Sequence, residues 1–285
     1  AEDRPMPDQL KQAYDKFISS EQKLACLQAP LHIHNYNQNW LTALFAIEYY
    51  TLFNGILPVL EKWNVPLPLG GTSNHFKTKI LKEVGGWDPY NVTEDADLGI
   101  RLHREGYRTG TISIPTYEEA PPRFDIWKHQ RTRWIKGWMQ TLLVHNRKPI
   151  GFYRDVGLKS LFAYHLVLTS VVLSALLHPI LIGLFLASIF DLVNNWQIEL
   201  NMLIITVSSL NFIGGYLTYG FLALIILYRL KALNLATLII TLPFYWLLIS
   251  WAAWRALFQL FFNPHYWEKT PHGLANKTFR ISIPD

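Results

Sequence analysis

The order of apolar and polar positions divides the chain into two unlike parts. Through the first 150 residues, short apolar runs alternate with polar turns. Pro7 to Ser19 has helical spacing, Leu24 to Ile33 reads as a strand, and Trp40 to Leu60 shows the dense apolar recurrence of a buried helix. A Pro- and Gly-rich passage from Val65 to Gly71 follows, then a short helix over Thr78 to Val84 closed by a Gly85-Gly86 turn. A helix from about Ala96 to Glu105 ends at Gly106, and a strand from Arg108 to Ile114 comes next. This is the pattern of part of an α/β domain.

Beyond residue 160 the pattern changes. Leu161 to Phe190, Leu200 to Tyr228 and Ala232 to Trp254 contain no charged residue, and each reaches the roughly 20 apolar residues that a membrane-crossing helix needs. The first is too long for one straight crossing, and its His178-Pro179 step predicts a kink or an interfacial helix leading into a crossing. The loop from Asp191 to Glu199 is acidic and that from Arg229 to Lys231 is basic, which places Arg229, and by alternation residues 1–150, in the cytoplasm. A multi-pass protein of the inner (plasma) membrane is expected. Three simple crossings would leave the tail after Phe262 outside. Pro243 and Arg255 interrupt the last apolar stretch, however, so re-entry or a Trp-rich interfacial helix stays open.

Composition sharpens this division. Residues 1–150 hold 34 of the Asp, Glu, Lys and Arg side chains and residues 151–285 only 13, so the two parts suit different solvents. Half the residues are hydrophobic, which excludes a disordered chain. The net charge of +5 gathers between Arg123 and Arg154, beside the apolar region, and fits anionic headgroups better than nucleic acid. The single cysteine, Cys26, excludes an internal disulfide and a zinc cluster built on cysteine pairs, and reads as a buried thiol. His32, His34, His75 and His129 lack the partner pattern of metal ligands and read as structural. No leader precedes the fold, and a longer parent protein is expected.

Two clusters carry candidate chemistry. In Thr93-Glu94-Asp95-Ala96-Asp97, Thr93 can cap a helix whose first turn favours acids. A carboxylate placed there can also take a proton from a hydroxyl within hydrogen-bond reach. The second cluster is Gln130-Arg131-Thr132-Arg133-Trp134. At about 100° per residue, Gln130, Arg133, Gly137 and Gln140 share one helical sector, and Trp127, Ile135, Trp138 and Leu142 another. One face is thus expected to meet lipid and the other a polar ligand. An interfacial helix anchored by Arg and Trp accounts for much of this, but not for Gln130. A Gln, an Arg and a Trp together offer hydrogen bonds, a phosphate-pairing cation and a flat surface for a sugar ring.

The pairing of Thr93-Glu94-Asp95 with Gln130-Arg131-Thr132-Arg133-Trp134 about 35 residues later, ahead of membrane spans, resembles the membrane-bound family-2 glycosyltransferases, the group of cellulose and hyaluronan synthases. Gly70-Gly71-Thr72-Ser73-Asn74 and Gly85-Gly86-Trp87-Asp88 resemble that family's segment ahead of its catalytic base. The resemblance implies an inverting transferase with a GT-A-type domain that uses a UDP- or GDP-sugar, Mg2+ or Mn2+, and a glycan acceptor. It extends a β-linked polysaccharide, exports it through the membrane helices, and works with accessory export or regulatory subunits. Asp95 would be the base, with Thr93, Glu94, Ser73 and Asn74 shaping its pocket and Gln130, Arg133 and Trp134 holding acceptor sugar and donor pyrophosphate. Glu2 and Asp3 resemble the end of the metal-binding Asp-x-Asp, with Glu2 in place of its second Asp. Trp267, Lys269 and Thr270 resemble a segment that covers bound nucleotide, and an aromatic anchor explains them equally well. The implied organisation is the C-terminal part of a GT-A-type domain over 1–122, amphipathic interfacial helices over 123–160, transmembrane helices over 161–262, and a polar tail over 263–285. A noncatalytic scaffold for a complete synthase, and a single-addition transferase on a lipid-linked acceptor, are the alternatives.

Overall fold

The computed structural model describes residues 3–194, 202–264, 266 and 268. Glu2, Trp267, Lys269 and Thr270 lie outside the described residues. The chain opens with β1 (Arg4–Pro5), α1 (Gln9–Ser19), β2 (Leu24–Gln28) and β3 (Leu31–Ile33). The run from Leu24 to Ile33 is therefore two strands rather than one. Pro30 has no N–H for a ladder, so the chain changes sheet there. In one sheet β2 lies between β4 (Asn74–Phe76), antiparallel, and β5 (Arg108–Thr111), parallel. In the other, β6 (Thr116–Glu118) joins β1, antiparallel, to β3, parallel, with Ile33 opposite Glu118. Cys26 is buried in β2.

Between the sheets and the later helices runs α2 (Trp40–Thr51), which continues through a π-helical turn (Leu52–Ile56) into α3 (Leu57–Lys62). Asn39 starts α2 with a capping box, accepting from Thr42 N while its own N–H donates to Thr42 Oγ1. Every residue of α2 except Trp40 and Glu48 is buried, as its apolar density predicts. The 40–62 stretch is apolar enough to cross a membrane, yet most of it is covered by protein, and it serves as the central core helix. Next come α4 (Thr78–Glu83) and α5 (Glu94–Arg104), which starts two residues before its predicted beginning, so that Glu94 and Asp95 stand in its first turn.

The remaining elements are α6 (Phe124–His145), α7 (Pro149–Tyr164), α8 (Ser170–Asn194), α9 (Met202–Ser209), α10 (Gly215–Arg229) and α11 (Leu242–Phe262). Three segments among them, Pro149–Phe190, Ile205–Arg229 and Leu233–Phe262, are long and apolar enough to cross a membrane. Pro179 lies inside α8, and Pro243 sits in the first turn of α11, where a missing N–H costs nothing. The last apolar stretch therefore changes at this point from a 3-10 helix over Leu233–Thr241 to the α-helix α11, and the chain stays helical through Pro243.

α11 lies along α6. Trp127 packs on Tyr245, Phe124 on Trp251, and Ile135 and Met139 join Ala252, Ala253 and Ala256 in one apolar cluster. The Trp127 and Ile135 face of α6, expected to meet lipid, thus meets protein. The chain after Phe262 then returns to α6, where Lys136 donates to Tyr266 O and Gln140 to Pro264 O at 2.9 Å. The start of the tail therefore lies beside the same helix that carries the second sequence cluster.

Candidate active site

Three segments meet around Asp95. The first is the loop before β4, strapped down by Gln28, whose Oε1 accepts from Gly70 N at 2.8 Å and whose Nε2 donates to Thr72 O at 3.0 Å. Gly71 lies so near that a Cβ there would stand 3.3 Å from Asp95 Oδ2. Ser73, at φ 59°, donates to Thr116 Oγ1 at 2.5 Å, and Asn74 Nδ2 to Gly70 O at 2.5 Å. Asn74 thus holds the loop's shape, and Ser73 ties the loop to β6 of the other sheet.

The second segment is the turn into α5. Trp87 Nε1 donates to Asp95 Oδ1 at 2.8 Å. Burial pushes the Asp95 carboxyl up to about 6, against the Trp87 bond, with the Glu94 charge adding to the rise. A carboxylate poised near neutrality is matched to general-base work. Behind it, buried Asp97 accepts from Arg101 Nε at 2.7 Å and bonds His145 Nε2 at 3.0 Å, fixing α5 to α6. Thr93 makes no capping bond, contrary to the capping expectation; its N–H donates to Asn91 Oδ1 at 3.0 Å.

The third segment is α6, and it touches the turn directly. A Cβ on Gly137 would lie 2.2 Å from Thr93 Oγ1, so only glycine allows this approach. One turn on, Gln140 Oε1 accepts from Val92 N at 3.2 Å, and Asn91 Nδ2 donates to Thr141 Oγ1 at 2.9 Å. Of the predicted sector, Gly137 and Gln140 meet the acidic turn. Burial lowers the affinity of Arg133 for its proton and the Glu94 charge raises it, which places these two groups within electrostatic reach. Gln130 is 5% exposed, and its Oε1 is buried without a hydrogen-bond partner among the described residues. Trp134 is half-buried, 6.0 Å from Phe45 and 6.2 Å from Tyr49 between ring centres, with the Arg131 guanidinium 4.9 Å from its own ring. The acidic turn and the helix carrying the second cluster are therefore in direct contact, at Thr93 and Gly137.

A sequence model of glycosyl transferase family group 2 matches residues 1–262. The chain belongs to that family. Among its curated relatives is a probable glycosyltransferase, YdaM, of Bacillus subtilis (strain 168), 34% identical over 77 residues, 27% of this chain and 18% of the relative. A beta-monoglucosyldiacylglycerol synthase of Synechocystis sp. is 31% identical over 115 residues, 38% of this chain and 24% of the relative. A probable glycosyltransferase of Sulfolobus acidocaldarius is 29% identical over 139 residues, 48% and 29% of the two chains. The aligned stretches thus cover under a third of these relatives' lengths.

Two groups beside this candidate site have roles that are not evident in the sequence. Arg131, next to Gln130, forms a two-pronged ion pair with Glu48 of α2 (2.5 and 2.7 Å) and donates to Tyr245 OH of α11 at 3.2 Å. It ties α6 to the core and to the apolar helices at once. Glu118 of β6 is the other. Burial and the Asp3 charge push its carboxyl up to about 8, and its Oε2 is buried without a partner among the described residues. Asp3 and Glu118 offer only carboxylate oxygens, the donors a hard Mg2+ or Mn2+ takes, and so fit as two ligands of such an ion. Among the described residues no three His, Cys, Asp or Glu side chains gather closely enough to hold a metal.

Proposed function

We propose that this chain supplies the acceptor side and membrane part of an inverting glycosyltransferase, which moves a sugar from a UDP- or GDP-sugar to the end of a growing β-linked glycan at the cytoplasmic membrane face. The observation that supports this reading is the close approach of Thr93 to Gly137, which brings the turn carrying Asp95 against the helix carrying Gln130 to Trp134. Asp95 takes the proton of the acceptor hydroxyl while that oxygen attacks the anomeric carbon. The bond from that carbon to the donor's phosphate oxygen breaks, and the nucleoside diphosphate leaves with the electron pair. Glu94 and the loop of Ser73 and Asn74 shape the wall. Gln130 donates and accepts hydrogen bonds to sugar, Trp134 presents an edge of its ring, and Arg133 pairs with the pyrophosphate. Mg2+ or Mn2+, when bound by Glu2, Asp3 and Glu118, supplies charge neutralisation for the leaving phosphate. In this reading Trp267, Lys269 and Thr270 cover the nucleotide, and export and regulation fall to the membrane helices and accessory subunits.

The test uses membranes carrying the full-length protein and a radiolabelled nucleotide sugar. Asp95→Asn is expected to insert normally and to lose roughly 10²–10⁴-fold in transfer, the contribution of a general base. Near-normal turnover would remove Asp95 from the role, and incorporation no higher than in empty membranes would favour the noncatalytic scaffold.

A second reading, single addition to a lipid-borne hydroxyl, is supported by the activity named for the Synechocystis relative and by the mutual packing of the aromatic residues that a glycan channel would use. Tyr216 stacks on Trp246 at 4.6 Å, and Tyr219 meets the same indole edge-on at 5.3 Å. Product length on a sizing column separates the two readings.

A further inference from the structure

A cavity of about 790 Å³ opens where the second half of α6 meets the first turns of α8 and the end of α11. This lies within the roughly 300–1,000 Å³ of small-molecule sites. Its walls are apolar: Met139 from α6, Val172 and Leu176 from α8, and Leu257 and Leu260 from α11. Water finds few partners on such a surface. At the mouth stand Leu143 and Phe261, 59% and 75% exposed, beside apolar helices long enough to cross a bilayer. On that side the medium is acyl chain, and the cavity continues the surface that the same helices offer to it.

The rim is polar and unevenly committed. Asn91 and Gln140 spend their amides on Thr141, Val92 and Pro264. Asp88 accepts from Tyr90 N at 2.9 Å. Arg147, exposed at the end of α6 and followed by exposed Lys148, lines the same rim and forms no ion pair with another described residue. Anionic headgroups attract cations placed at this level.

We propose that this cavity holds an acyl chain of an anionic phospholipid whose phosphate pairs with Arg147. The rim segment from Asp88 to Asn91 leads directly into Thr93-Glu94-Asp95, so the bound lipid lies against the base of the catalytic turn.

The experiment reconstitutes the full-length protein in nanodiscs of phosphatidylcholine and phosphatidylglycerol, extracts it in mild detergent, and counts retained lipid by native mass spectrometry. The wild type is expected to keep phosphatidylglycerol in preference to phosphatidylcholine. Arg147→Gln should keep a lipid and lose the preference. Leu260→Trp, which fills the cavity, should lose the lipid while its melting temperature stays close to the parent's. Equal retention of both lipids by the wild type, undiminished retention by Leu260→Trp, or displacement by inorganic phosphate alone would each overturn the assignment. Retention is read without sugar transfer, so the outcome is separate from the fate of the proposed reaction.

Discussion

Gly137→Ala is the smallest change that acts on the join between the two clusters. An added Cβ would lie 2.2 Å from Thr93 Oγ1, 2.5 Å from its Cγ2 and 2.7 Å from its Cβ. Carbon atoms rest about 3.5–4.0 Å apart, so α6 and the turn must separate by roughly 1 Å. Two effects on stability oppose each other. Alanine in a helix gains about 0.5–1 kcal/mol over glycine, and overpacking costs about 1–3 kcal/mol. The clash is with a backbone-anchored side chain rather than a flexible tip, so a net loss of about 1–2 kcal/mol is expected. Asp95 follows Thr93 by two residues, and a misplacement of about 1 Å costs on the order of 10²-fold in rate. Denaturant titration of the purified protein and transfer assays in membranes measure the two effects. Thr93→Ala removes the two nearest atoms and leaves the Cβ at 2.7 Å, so the double variant should recover part of the stability, with a coupling of about 0.5–3 kcal/mol. A Gly137→Ala protein as stable and as active as its parent, or strictly additive stability losses, would refute the contact.

Transfer should rise with pH through about 6 as Asp95 ionises, and Trp87→Phe should move that limb to higher pH by removing a bond that favours the charged form; a limb at the ordinary carboxylate value would contradict the burial. Because the folded pKa of Asp95 is raised, folding binds protons and stability falls as pH climbs from the ordinary carboxylate range through about 6. Asp95→Asn should therefore raise the melting temperature above that window and not below it. Arg131→Leu leaves the Glu48 carboxylate without its cation, held among the described residues only by Tyr245 OH at 2.8 Å, and should cost about 3–5 kcal/mol in denaturant titration, with part recovered by Glu48→Leu; a loss within error would show the pair to be dispensable. Gln130→Leu should lower transfer while keeping or raising the melting temperature, since its buried oxygen has no hydrogen-bond partner among the described residues. Equal loss of both would make it a packing residue.

The helices and both clusters were legible because each rests on local spacing. The 3.6-residue period grouped Gly137 and Gln140 on the face that meets the turn, and apolar density identified α2 as core. The same periodicity misled on the opposite face of α6. Trp127 and Ile135 are apolar for the sake of α11, and a hydrophobic pattern records only that water is excluded, not whether lipid or protein excludes it. Strands of two or three residues such as β1, β4 and β6 are too short to show alternation. Pro30 was the available sign that the Leu24 to Ile33 run is divided. Glu48, Glu118 and Gln28 acquire their roles from partners more than 40 residues away or from burial, neither of which has a local signature.

The way α6 is clothed on both sides bears on how the protein can be handled. Its Gly137 edge is covered by the acidic turn and its Ile135 and Met139 edge by α11, more than 100 residues later. Truncation ahead of the first long apolar segment, the usual route to a soluble catalytic fragment, would strip that second covering and expose a ribbon of Trp, Ile and Met. Such a fragment would clump or lose the helix that frames its pocket. The site and its greasy annex are one piece of architecture, and biochemistry on it belongs in detergent or bilayer with the whole chain present.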